Sequence, residues 1–403
     1  MKPSSSLLAL PVLAASAANA DADAGVISMP IRFLYGALNK ISTSVVVGSS
    51  ANASAIEVVV DFGSSDFWIF GPNATINYGS PYLGFTGQCN TSPSAYYHPS
   101  AAHPISNFSA AYAYGGNSKI LTANAIVNDT LSFPSSPSPS RSIPNIEVAL
   151  VNHGSVRQAV ASDAPCPDLS YDLGILGLAP RAGNGDQGPN VKADLLEMGR
   201  IKGSVASMYF SPAPANASIE YEFQGEVLFG ELPPRDSYEG ELLPVPIATQ
   251  QGEIGYYVAQ PNFSHANTTI PSDFPDTTCL LDSGSLAITL PYEQNTTAFL
   301  NATGLQEYQY TVVYPSACEE IPRGLTLDFE FTTGNGTEKG MVKVPYRNLA
   351  RGDPGPGGVL PEGMCALSLG FASSCTLGAP WFTASSVGVD DGEGVVWVGQ
   401  GRL

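Results

Sequence analysis

The sequence predicts an all-β protein built from two similar halves. Three observations carry that expectation. Gly and Pro are abundant, at 41 and 33 of 403 residues, so regular elements are interrupted often. The apolar runs between them are short and rich in Val, Ile, Leu and Tyr, which is the size and make-up of strands. The third observation is a signal that occurs twice in the same order. Val58-Val59-Val60 runs into Asp61, a Gly63 turn and the hydroxyls of Ser64 and Ser65; further on, Ile175-Leu176-Gly177 is an apolar strand closed by Gly. Downstream, Cys279-Leu280-Leu281 runs into Asp282, Ser283, Gly284 and Ser285, and Thr376-Leu377-Gly378 follows. Two copies make a duplication, not a repeat array.

Taken in order, residues 1–20 read as a secretory signal. Lys2 gives a positive start, residues 6–17 an apolar core too short for a membrane span, and Ala18-Asn19-Ala20 a cleavage site. Residues 26–34, 42–48 and 55–60 are expected strands, the first with Pro30 hinting at an edge. Residues 71–106 read as loop-rich. Residues 108–129 hold two strand-like runs around Gly115-Gly116-Asn117-Ser118, a hairpin signal. Residues 134–144 are Ser/Pro-rich and read as a surface loop, followed by a strand over 146–151. Residues 189–198 are the best helix candidate, with Pro at the start and Gly199 at the end. Strands are expected at 205–210 and 226–229. The polar, Pro-rich stretch 232–240 is the expected boundary, dividing residues 21–235 from 236–403. Beyond it, the signals predict strands at 256–258 and 279–282 and a helix over 291–300. Paired strands follow at 325–331 and 341–344, then a Gly/Pro loop over 352–363 and a terminal hairpin over 386–398.

The formal charge is −19 with 17 Lys and Arg, which excludes nucleic acid and anionic membranes as partners. With a sequence pI near 4.4, it points to an acidic working medium. The last residues form no hydrophobic tail, so a lipid anchor is not expected. A secreted location gives meaning to eleven glycosylation sequons, at Asn52, Asn73, Asn90, Asn107, Asn128, Asn216, Asn262, Asn267, Asn295, Asn301 and Asn335. Six cysteines, Cys89, Cys166, Cys279, Cys318, Cys365 and Cys375, permit disulfides, and spacing alone does not choose the pairing.

Two acids held within hydrogen-bond reach cannot both ionise easily, so one keeps its proton. The ionised member can take a proton from water and the protonated member can polarise a carbonyl, which suffices for amide hydrolysis without a covalent intermediate. Asp61 alone is far more often a plain turn residue than a catalyst. The second copy changes that balance.

At these residues the chain resembles the pepsin-family aspartic proteases of the kind fungi secrete. Asp61-Phe62-Gly63-Ser64-Ser65-Asp66-Phe67-Trp68 resembles the first family motif and Asp282-Ser283-Gly284-Ser285 the second. Tyr114-Gly115 resembles the start of the flap, and residues 380–398 the family's C-terminal stretch. The likeness runs over nearly all of residues 26–397. It implies two β-barrel-like lobes with a central cleft, a flap hairpin and few short helices. It further implies Asp61 and Asp282 as a catalytic dyad, the worked example of paired carboxylates. Ser64 and Ser285 would bond the outer carboxylate oxygens, and Tyr114 would sit on the flap with Trp68 as partner. A polypeptide would lie in the cleft of a monomer, with no cofactor and no metal. Cys318–Cys365 matches the family's C-terminal disulfide; under that resemblance Cys89–Cys166 and Cys279–Cys375 remain.

Three departures accompany the likeness. Phe62 stands where the family has Thr, whose hydroxyl bonds the opposite lobe. Leu286 stands where a hydroxyl is usual. No Lys or Arg lies between Ala20 and the first strand, where the family carries a basic prosegment. Two functions are therefore expected: an acid endopeptidase first, and, because of Phe62, a pepsin-fold binding module with weak or no cleavage second. Other signals carry less. Asp61-Phe62-Gly63 matches a kinase metal motif without the rest of a kinase. His98, His103, His153 and His265 read as surface or loop residues, no Cys/His spacing suits zinc, and Arg351-Gly352-Asp353 is a chance loop tripeptide.

Overall fold

The computed structural model describes all residues except 1–24, 35–39, 49–52, 79–88, 92, 94, 116–117, 135–141, 157–172, 182–187, 249–253, 295, 352–359 and 361. The expected signal segment and most of the Gly/Pro loop therefore lie outside the described residues.

Alternating burial builds the first strand: in Ile27–Leu34 every second side chain is buried, the period-2 pattern of a sheet with one face inward. It pairs antiparallel with Lys40–Val47 and, on its other edge, with Gln224–Phe229. From there a 14-stranded sheet extends both ways. One way it passes through Ala55–Asp61, Gly174–Gly177, Phe67–Tyr78 and Ser142–Val156 to the hairpin Lys119–Ser132 and Ser106–Tyr114. The other way it passes through Val205–Phe210 to the terminal hairpin, Ser385–Asp390 and Val395–Gly401, and ends at Tyr238–Pro246. Smaller sheets of 5, 4 and 3 strands complete the second half. The expected boundary at 235/236 thus falls between two strands of one continuous sheet, because the chain's last hairpin returns to pair with Val205–Phe210.

Among the described residues the helices are short: Val191–Glu197, Thr297–Thr303, Tyr346–Leu349 and Ala379–Phe382. None is long and apolar enough to cross a membrane. Four sequence expectations are corrected. The expected helix from 291 starts only at Thr297, because Pro291 ends the strand Ile288–Pro291. The stretch from Gly71 is not loop at its start: Phe67–Tyr78 is one strand, with a register shift between Phe70 and Thr75 that accommodates Pro72. The strand expected at 146–151 runs from Ser142 to Val156 and takes in the end of the Ser/Pro segment. His265 is not a surface residue; it is buried on Asn262–His265, with Nδ1 2.9 Å from the Thr326 carbonyl.

Candidate active site

Each acidic turn leaves the middle of a sheet. Ala55–Asp61 lies between antiparallel Lys40–Val47 and parallel Gly174–Gly177, with Asp61 opposite Gly177. In the second half Thr278–Leu281 lies parallel to Cys375–Leu377. The turns are stitched to those parallel neighbours. Leu178 N–H donates to the Asp61 carbonyl at 2.8 Å and Ala179 N–H to Ser64 O at 3.0 Å; Asp282 N–H donates to Leu377 O at 3.1 Å and Ala379 N–H to Ser285 O at 3.0 Å. This explains the duplication seen in the sequence: each acid needs an apolar strand beside it to satisfy the turn's backbone groups.

The two turns then meet. The Asp61 and Asp282 carboxyls are hydrogen-bonded to each other. Each turn glycine makes room for the opposite acid: a Cβ on Gly63 would stand 2.7 Å from Asp282 Cγ, and one on Gly284 2.7 Å from Asp61 Cγ. No side chain fits at either position. Asp61 accepts the Gly63 N–H at 2.7 Å, the Ser64 hydroxyl at 2.7 Å and the Gly284 N–H at 3.3 Å. Acceptor-only bonding of this kind suits a carboxylate.

Asp282 lies deep in the site with a partly open face. Burial first, then the Asp61 charge and their shared hydrogen bond, hold its pKa well above the ordinary 3.8. The Lys40 ammonium and the Ser285 backbone N–H oppose that rise. Lys40 itself is pushed down by burial and supported by both acids. Strand register explains its presence. Ser42 pairs with Val59 in the antiparallel ladder, so Lys40, two residues earlier, lies toward Asp61, two residues later.

The Ser285 expectation is corrected: its hydroxyl donates to the Ala287 carbonyl at 3.1 Å, and only its backbone N–H serves Asp282. Trp68 is fully buried and its Nε1–H donates to the Tyr114 hydroxyl at 2.8 Å. Tyr112 stacks on the same indole at 6.4 Å, and the Lys119 ammonium lies 4.9 Å from its centroid. The hairpin carrying Tyr114 is Ser106–Tyr114 with Lys119–Ser132, closed at the pair Tyr114 and Lys119. The turn end of the hairpin therefore rests on an aromatic cluster.

Phe62 occupies no polar position. It is fully buried, stacks on Phe382 at 5.6 Å and 9°, and meets Tyr256 at 5.9 Å. Ser283, its counterpart, accepts the Phe62 N–H at 2.9 Å and donates to Val60 O at 2.7 Å.

Sequence reasoning missed several supporting residues. Asn190 is buried. Its Oδ1 accepts the Ala193 N–H at 2.9 Å as a helix cap, and its Nδ2 donates to Ser65 O at 2.6 Å and Ala179 O at 3.0 Å. Asn just before an apolar helix run is an N-cap signal, so the position was legible and its reach to the Asp61 turn was not. Lys192, Tyr256 and Asp391 form a second unpredicted cluster.

Cys279–Cys375 and Cys318–Cys365 are disulfides; Cys166, the expected mate of Cys89, lies outside the described residues. The side chains of Asn73, Asn107, Asn128, Asn216, Asn262, Asn267, Asn301 and Asn335 are exposed. Asn90 stands on the strand Cys89–Thr91, and Asn52 and Asn295 lie outside the described residues. Among the described residues no group of three or more His, Cys, Asp or Glu could hold a metal ion.

Pepsin B of Canis lupus familiaris is 31% identical over 140 residues, 35% of this chain and 33% of that protein. Secreted aspartic protease 8 of Candida albicans is 25% identical over 281 residues, 69% of this chain and 59% of that protein. The matches thus span less than two thirds of either relative. The crystal structure of the aspartic proteinase from Irpex lacteus superposes with a TM-score of 0.61 at 16% identity, covering 94% of this chain and 98% of that one; it speaks for the fold alone. The profile of the eukaryotic aspartyl proteases matches residues 41–354, and the chain belongs to that family.

Proposed function

We propose that the chain is an endopeptidase that cleaves polypeptides at acidic pH through a water activated between Asp61 and Asp282. The carrying observation is the reciprocal seating of the acids: each turn's glycine leaves the space the other turn's carboxyl fills. Asp282, with its raised pKa, holds the shared proton and donates to the scissile carbonyl. Asp61, in the charged role, takes a proton from water. The two limbs of a pH–rate profile for such a pair belong to the dyad rather than to either residue. Tyr114 on its hairpin covers the substrate, with Trp68 fixing its hydroxyl. Ser64 orients Asp61. Both acids come from one chain, so a monomer suffices.

Secretion is part of the proposal. The signal-like residues 1–20, the exposed sequons and the two disulfides support it, and the Candida relative is secreted by name. Binding without cleavage, which Phe62 raises, draws no support from the geometry: Phe62 packs away from the carboxyls and leaves Asp61 fully bonded.

Cleavage of an unfolded protein at about pH 3 to 5 tests the reading, with and without pepstatin, whose statine group imitates the tetrahedral transition state. Acid-dependent cleavage that pepstatin blocks is expected. Asp282→Asn should lose on the order of a thousandfold or more in kcat, since Asp61 alone cannot both take the proton of the water and donate one to the carbonyl. Cleavage untouched by Asp282→Asn would overturn it.

A further inference from the structure

Phe62 follows the proposed catalytic Asp61 directly, yet it reaches across to the second half of the chain. Its ring stacks on Phe382, in the short helix that follows Gly378, and tilts against Tyr256. Tyr256 pairs with Leu281, the residue before Asp282. One aromatic seam therefore touches the backbone neighbours of both acids.

The seam is pinned from behind. The Tyr256 hydroxyl lies 2.8 Å from Asp391 Oδ1 and 3.1 Å from Leu178 O, and it accepts a hydrogen bond from Lys192 Nζ. Lys192 Nζ is also 2.6 Å from Asp391 Oδ2, with the lysine side chain 3% exposed and the aspartate 23%. The pin thus joins the helix Val191–Glu197, Leu178 just beyond the strand Gly174–Gly177, the strand Tyr256–Ala259 that pairs with the one leading into Asp282, and the terminal hairpin. Burial lowers the Lys192 pKa and Asp391 opposes that fall. A buried ammonium is tolerated here because it is paired and hydrogen-bonded.

We infer that Phe62, Tyr256 and Phe382, pinned by Lys192 and Asp391, form a positioning seam that sets the two catalytic acids in register across the halves. The Ser283 hydroxyl makes the polar tie on one side; the seam makes an apolar tie on the other. None of these five residues touches the reacting atoms. They act through the backbones of Asp61 and Asp282, and a displacement of about 1 Å at such positions costs up to about a hundredfold in rate.

The inference rests on the protease reading, and the test separates the two. Full-length enzyme carrying Phe62→Thr, Tyr256→Phe or Asp391→Asn is compared with wild type on one peptide substrate for kcat, KM, pH–rate profile and Tm. Phe62→Thr supplies the hydroxyl common in the family but empties the seam, so it should lower kcat on the order of tenfold or more. Asp391→Asn keeps the shape and an acceptor oxygen for the buried Lys192 ammonium but removes the charge, so it should lower Tm, lower kcat and change the spacing of the two pH limbs, with KM within about twofold. A purely structural role would move Tm alone. Wild-type kcat, KM and pH limbs in Asp391→Asn and Tyr256→Phe, or an unchanged or raised kcat in Phe62→Thr, would overturn the seam while leaving the protease reading intact. Wild type that fails to cleave at acid pH would instead remove the protease reading itself.

Discussion

Lys40 shows how much one side chain can set the working range of the site. Its ammonium favours the ionised form of Asp282 against burial and the Asp61 charge. Removing that cation leaves Asp282 holding its proton to higher pH. Under the proposed mechanism, activity ends on the alkaline side when the shared proton is lost. Lys40→Met should therefore move the alkaline limb of the pH–rate profile upward; an unmoved limb would show that the cation does not reach the dyad. In the sequence Lys40 looks like any strand-edge lysine. Its role comes from the ladder that carries it toward Asp61, and single-chain patterning does not reveal which strand lies beside which.

Among elements, the short helix Val191–Glu197 matters more than its length implies. Asn190 caps it and at the same time holds Ser65 O and Ala179 O, the carbonyls of the Asp61 turn and its parallel partner. Asn190→Ala removes a cap of about 1 kcal/mol and strands two buried carbonyls, at about 1–3 kcal/mol each if water does not reach them. A loss of about 3–7 kcal/mol in denaturant unfolding is expected if both carbonyls stay dry, together with lower kcat. Existence and type of most elements were legible, because alternation at Ile27–Leu34 or the Gly-bounded run at Gly174–Gly177 has a direct physical cause. Edges were less so: Pro291 reads as a helix start and ends a strand, and Pro72 reads as loop and sits within a strand at a register shift.

For the whole molecule, charge and burial together favour acid conditions. Asp194 accepts the Glu147 N–H at 3.1 Å and pairs with Arg181 at 2.9 Å, yet burial prevails and raises its pKa from 3.8 to about 6. Below 3.8 folded and unfolded states both carry the proton, and this contribution to stability is fully present. Between 3.8 and about 6 the unfolded chain ionises first, so stability is lost as pH rises through the folded value. Asp282 adds with the same sign. The Tm should therefore fall between about pH 4 and pH 7, and Asp194→Asn should flatten that fall; a Tm that climbs over this range would contradict the assignment.

The sequence by itself determined the all-β class, the duplicated acidic turns and the two glycines without which the acids could not meet. Those features are local: a β-branched run, a turn residue and an apolar strand each announce themselves within a few positions. Only the tertiary structure decided what Phe62 does, why Ser285 turns its hydroxyl to Ala287, and that Lys40, Asn190, Lys192 and Asp391 belong to the site at all. Each of those roles is a contact between residues far apart in the chain. Such contacts follow from sheet order and from the return of the final hairpin to Val205–Phe210, and no short stretch of sequence encodes either.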